Sequence, residues 1–157
     1  MSREAILAIA TDVRAFLEPV WREWHLVRGG EMPSIASENT CGRSSLFLQR
    51  ALIDAGFAAD WVSGVPSPDH PDDPVGFFDG EIWRSHAWVQ CEDLIVDITA
   101  DQFGDRPVTV VSLHDDRYQQ GLRDPALPEF VVARTEAVAA IWPRWIAARN
   151  CVILWHG

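Results

Sequence analysis

The sequence predicts an α+β domain with an antiparallel sheet, and three observations lead to it. Apolar residues near the N-terminus recur at three- and four-residue spacing, a second helical face follows a polar loop, and the middle of the chain is a run of consecutive β-rich segments. Helix, helix, then strands is the order of an α+β fold rather than an alternating one. With 157 residues, on a prior of roughly 100–200 residues per domain, the chain is expected to form one domain over 1–157.

Ile6, Ile9, Val13, Phe16, Leu17, Val20, Trp21 and Trp24 place one apolar stripe on a helix over about 2–27, ended by Gly29-Gly30. Pro19 falls inside it and lacks a backbone donor, so a kink or a break into two helices is expected there. Residues 31–40 are a loop. Phe47, Leu48, Ala51, Leu52 and Ile53 give the second helix, starting near Cys41 and ending before Gly56. The segments 57–63, 82–91 and 94–99 carry β-branched and aromatic residues and are predicted strands. Between the first two lies 64–81, where four prolines and three glycines argue against regular structure and for a mobile lid or rim. Strands are predicted at 108–113 and 130–133, then a helix over about 136–149 bent or broken at Pro143, with CVILW as a strand or packed tail. Trp21, Trp24, Trp142 and Trp145 sit at helical spacing and are expected in the core.

Net charge is −10, and all 13 basic residues are arginines. Such a chain repels polyanions, so nucleic acid and anionic membranes are not its expected partners. Neither a signal peptide nor a span of roughly 20 apolar residues is legible, which together with odd-numbered cysteines lacking a CxxC spacing suggests a reducing, cytoplasmic setting. Oligomeric state is not legible.

Cys41, in SENTCGRSS, opens the second helix, where unpaired amides and the positive dipole end favour a thiolate. Ser37 or Asn39 can cap that helix. A structural reading of Cys41 as a small buried residue stands beside the nucleophilic one. The segment HAWVQCEDLIVDIT bears on the choice. With Glu92-Asp93 as a two-residue turn, residue 91 faces 94, 89 faces 96 and 88 faces 97. His86 and Asp97 then share a face as diagonal neighbours, about 7–8 Å apart at the backbone, within reach of a carboxylate–imidazole hydrogen bond. Asp97 in an otherwise apolar strand needs such a partner. The carboxylate would orient the ring and leave its other nitrogen to serve a thiol.

A cysteine opening a helix, then His86-Ala87-Trp88-Val89 on one strand and Asp97-Ile98-Thr99 on the next, resembles the transglutaminase-like branch of the papain-like cysteine enzymes, over about 37–104. The resemblance implies a nucleophile helix packed on an antiparallel sheet. It also implies Cys41 as nucleophile, His86 as general base and then acid, and Asp97 as the orienting carboxylate. Gly42 stands where animal transglutaminases commonly carry a tryptophan. The chain has no room for their accessory β-domains, and no Arg-Gly-Gly-x-Cys run of arylamine acetyltransferases occurs. The implied substrates are amides or esters of peptide, protein or small-molecule origin, with no cofactor.

Asn39, Gln90 and Gln102 are the candidate oxyanion-hole side chains beside the Cys41 amide, and Trp88 and Trp61 are candidates for either a substrate wall or packing. No metal site is predicted, since HExxH and CxxC spacings are absent. Cys91, on the opposite strand face from His86, and Cys151 are expected to be structural. The alternative function is a non-catalytic binding or interaction domain that keeps the fold.

Overall fold

The computed structural model describes residues 2–121 and 126–155. The chain divides into two compact units, Met1–Pro125 and Ala126–Gly157. The architecture is mixed helix and antiparallel sheet.

In the first unit, α1 (Ser2–Arg28) runs unbroken through Pro19. Its buried stripe of Ile6, Ala10, Val13, Leu17, Val20 and Trp21 follows the predicted spacing, and each fully buried large aliphatic side chain contributes about 1.5–3 kcal/mol. The expected break is absent because Pro19 and Ala15, whose carbonyl loses its partner, both face solvent and water can satisfy that oxygen. Helix α2 is Cys41–Asp54.

The main sheet has strand order β1-β4-β5-β6, formed by β1 (Ala59–Gly64), β4 (His86–Cys91), β5 (Leu94–Asp97) and β6 (Thr109–Ser112). The hairpin register pairs Val89 with Val96 and Cys91 with Leu94, as the two-residue turn requires. A second sheet, ordered β3-β2-β7, consists of β2 (Gly76–Phe78), β3 (Trp83–Arg84) and β7 (Tyr118–Gln119). The segment 82–91, expected as one strand, therefore changes sheets at Ser85.

The two faces of the main sheet are covered differently. On one, α2 is tied down by Ser45 Oγ donating to the Ala87 carbonyl at 3.0 Å and Gln49 Nε2 to that of Ala59 at 3.2 Å. On the other, Val62, Trp88 and Ile95 pack with Phe77 and Tyr118 of the small sheet. Residues 64–81 were expected to lack regular structure and a core role, yet they contribute β2 and the buried Phe77. Local composition gave way to pairing: Phe77 lies opposite both Arg84 and Tyr118. Where the sheets meet, Gly64 is opposite His86 in the β1–β4 register. A side chain on Gly64 would overlap the backbone of Gly76 and Gln119, so the close approach requires glycine.

The second unit contains α3 (Pro128–Trp155). The predicted strand 130–133 and the CVILW strand or tail are both helical. Proline at the first helical position pre-sets the turn, and the run that follows, rich in alanine and other helix formers, outweighs Phe130-Val131-Val132, which are exposed. The helix also passes through Pro143, which is exposed. Trp21, Trp24 and Trp145 are buried, while Trp142 is half-buried.

Candidate active site

Cys41 is the first residue of α2. Its N-cap is Thr40, rather than Ser37 or Asn39, and no side chain caps the helix. The Thr40 hydroxyl instead donates backward to the Ser37 carbonyl at 2.7 Å. Asn39 adopts a left-handed φ of 59°, a conformation that asparagine tolerates better than most residues. The loop entering the helix is braced from three sides. Ser37 Oγ donates to Asp101 Oδ1 at 2.6 Å, Arg28 Nη1 to the Asn39 carbonyl at 3.2 Å, and the Asn39 amide to Gln102 Oε1 at 3.3 Å.

His86 opens β4 and Asp97 closes β5. His86 Nε2–H donates to Asp97 Oδ2 at 2.7 Å, and both side chains are fully buried. Asp97 also receives the Thr99 amide at 2.9 Å, the Thr99 hydroxyl at 3.3 Å and the Tyr118 hydroxyl at 2.9 Å, so its buried charge is fully compensated. Phe77, Phe103 and Trp88 pack on the imidazole at centroid distances of 5.7, 5.1 and 6.2 Å. The ring's other nitrogen, Nδ1, is buried and completes no hydrogen bond, while the Cys41 thiol lies within hydrogen-bonding reach of the ring. Cys41 keeps some solvent exposure although protein surrounds it closely.

The electrostatics of the three groups are linked. Burial pushes the Cys41 thiol up, but the nearness and charge of His86, with backbone help from Ala87, outweigh it and hold the thiol below its ordinary value. For His86, burial works toward the neutral ring, while the charge and hydrogen bond of Asp97, then Cys41, reverse the balance and favour imidazolium. Burial likewise pushes Asp97 up, and His86, the Thr99 amide and Tyr118 together bring it below the usual carboxylate range. A low-pKa thiol beside a proton acceptor held by a carboxylate can act as a nucleophile.

The other sequence candidates have different fates. Gln102 donates Nε2 to the Thr99 carbonyl at 2.9 Å and accepts from Asn39, so its amide braces the loop. Gln90 shares a strand face with His86 but lies four residues along β4, about 13 Å away at strand rise. Asn39 is exposed, and among the described residues no hydrogen bond holds its side-chain amide, which does not cap the helix. Trp88 is only 1% exposed and is packing, not a wall. Trp61 is paired with Val89 and so lies on the opposite face of the sheet from His86 and Trp88. It donates Nε1 to the Gly42 carbonyl at 3.1 Å, tethering the residue after Cys41. Cys91 is buried, with its thiol pushed up to about 11 by burial and Glu92, and Cys151 is exposed.

Sequence reasoning missed Tyr118, Phe77 and Phe103. The only sequence signal for the first is that it is the chain's single tyrosine. A cavity of about 370 Å³ borders Phe77 and Phe103 and is also lined by Asp79, Asp105 and Arg117. A separate one of about 580 Å³ is lined by Arg28, Glu38 and Asn39 among others.

Compared with known proteins, the chain matches no family model, no curated protein and no solved structure. Among the described residues no helix is long and apolar enough to cross a membrane, and no group of three or more His, Cys, Asp or Glu side chains could hold a metal ion.

Proposed function

We propose that this chain is a cysteine-nucleophile hydrolase or acyltransferase with a papain-like, transglutaminase-like fold, acting on an amide or ester carbonyl. The observation that carries the proposal is the thiol of Cys41 at an uncapped helix start beside a buried His86–Asp97 pair whose free nitrogen is Nδ1. The Cys41 sulfur adds to the carbonyl carbon, and the electron pair of the C=O bond moves to oxygen. The first-turn amides of α2, not occupied by a capping side chain, are donors for that oxyanion. When the tetrahedral adduct collapses, the leaving amine or alkoxide takes the proton from His86 Nδ1 and a thioester remains. Water or a second amine then gives its proton to Nδ1 as it adds to the thioester, and the thiolate departs. Asp97 keeps the imidazole in the tautomer that presents Nδ1 to sulfur.

Peptide-mapped alkylation with iodoacetamide, paired with a screen of amide, ester and peptide substrates, tests this. Cys41 should react well below pH 8, and acid-quenched mass spectrometry during turnover should find the acyl adduct on Cys41 and on neither Cys91 nor Cys151. Full activity in Cys41→Ala, or an adduct elsewhere, ends the proposal and favours a binding domain.

A further inference from the structure

The carboxylate of Asp97 is shared, and the manner of sharing is asymmetric. Thr99 takes Oδ1, while Oδ2 receives both His86 Nε2 at 2.7 Å and the Tyr118 hydroxyl at 2.9 Å. Tyr118 is 5% exposed and belongs to β7, which β2 holds in place through the pairing of Phe77 with Tyr118. Its ring packs on Phe77 at 4.9 Å and edge-on to Trp88 at 5.2 Å. The small sheet thus delivers one hydroxyl to the oxygen on which the imidazole depends.

We propose that Tyr118 is a positioning residue of the Cys41–His86–Asp97 site: its hydroxyl withholds part of the Asp97 charge from His86 and so sets how firmly the imidazolium is held. This rests on the reading of Cys41 and His86 as a reactive pair. A donor on a carboxylate competes with every other donor on the same oxygen. Removing Tyr118's hydroxyl leaves more charge for His86, which becomes more basic, and the Cys41 thiolate beside it then forms at lower pH. The groups facing this cluster are few. Asp97 meets His86, Thr99 and Tyr118, and Cys41 meets His86 and Asp97. Beside Tyr118 stand Arg117 and Asp105, ion-paired at 3.2 Å, with Asp115 completing the Arg117 pairing at 3.1 Å. Carboxylates and guanidinium ordinarily titrate outside the range of imidazole and thiol.

The rate of Cys41 alkylation by iodoacetamide, followed against pH by peptide mapping, is the readout. Tyr118→Phe keeps the packed ring and should move the midpoint down by about 0.5–1 pH unit, with His86 remaining protonated to correspondingly higher pH in an imidazole NMR titration. Because the chain has one tyrosine, growth on 3-fluorotyrosine alters Tyr118 alone. The more acidic phenol is a stronger donor and should move the midpoint up. Opposite shifts support the inference, and the fluorinated protein keeps it testable if Tyr118→Phe does not fold. A purely structural tyrosine would change amplitude or stability without moving the midpoint. An unshifted or same-direction pair of curves overturns the inference and leaves the reactive pair intact. A wild-type midpoint at the ordinary thiol value of about 8.5 overturns both.

Discussion

Two buried clusters of charge lie in the first unit, and they use the same chemistry to different ends. Arg14 reaches from α1 to donate to the Ile98 carbonyl at 2.8 Å, the Pro107 carbonyl at 2.9 Å, Asp101 at 2.8 Å and Glu18 at 3.1 Å, with its guanidinium 5.0 Å over the Trp21 ring. Asp101 in turn holds Ser37. Each nitrogen of that guanidinium has a partner, and the result is a fixed joint between α1, the turn after β5 and the loop entering α2. The His86–Asp97 pair is as well compensated at the carboxylate but leaves one ring nitrogen without a completed bond. A satisfied network can only hold; the spare nitrogen beside a thiol can exchange a proton.

Substitutions can break or sharpen that contrast. The largest effect is expected from Asp97→Asn, which keeps the shape but no longer stabilises imidazolium. Turnover on any substrate found should fall by on the order of 10³–10⁴ while circular dichroism stays native. A loss under tenfold would place Asp97 with Arg14 as a holding group. Arg14→Met should do the reverse, costing about 3 kcal/mol in denaturant unfolding because Asp101 loses its buried partner. The figure sits at the low end for buried pairs, since Glu18 is 54% exposed and its share is small. If the pH profile of Cys41 alkylation moves with Arg14→Met, the two clusters are not separate in function.

A third test reads protons. His86 is raised in the folded state, so its stabilising effect is complete below the unfolded value of about 6.5 and is lost as pH rises toward the folded value. In Cys41→Ala the native protein then binds one more proton than the unfolded chain, and stability falls by about 1.4 kcal/mol per pH unit. In the wild type the lowered thiol releases a proton that the unfolded thiol retains up to about 8.5, which offsets that uptake wherever the folded thiol is ionised. Denaturant-derived stabilities of the two proteins should diverge between about pH 6.5 and 8.5; parallel curves would mean no resting ion pair. The smallest effect is on the supporting side. Ser44→Ala removes the acceptor of Trp21 Nε1, a buried bond of 2.8 Å, and should cost about 1–2 kcal/mol with the alkylation midpoint unchanged.

Local sequence determined what depends on near neighbours. The spacing of apolar residues along α1 set its buried stripe, and the Glu92-Asp93 turn set the hairpin register that brings His86 and Asp97 to one face, since a strand's side chains alternate strictly. The start of α2 at Cys41 was legible for the same reason, although its cap was not: Thr40 occupies the cap position and turns its hydroxyl back to Ser37, while the backbone of Asn39 is fixed by Arg28 and Gln102. Tertiary structure decided what depends on distant pairing. Nothing within 64–81 or 118–119 announces a strand, because each is short and becomes one only by pairing, β2 against β3 and β7, and β7 against β2. Phe77 therefore entered the core against its composition, and Tyr118 reached Asp97 from 21 residues away in sequence. The β-branched residues near 130 show the converse, a local strand preference overruled by the helix that continues past them. A strand needs a partner that no window of sequence contains, whereas a helix carries its hydrogen bonds within itself.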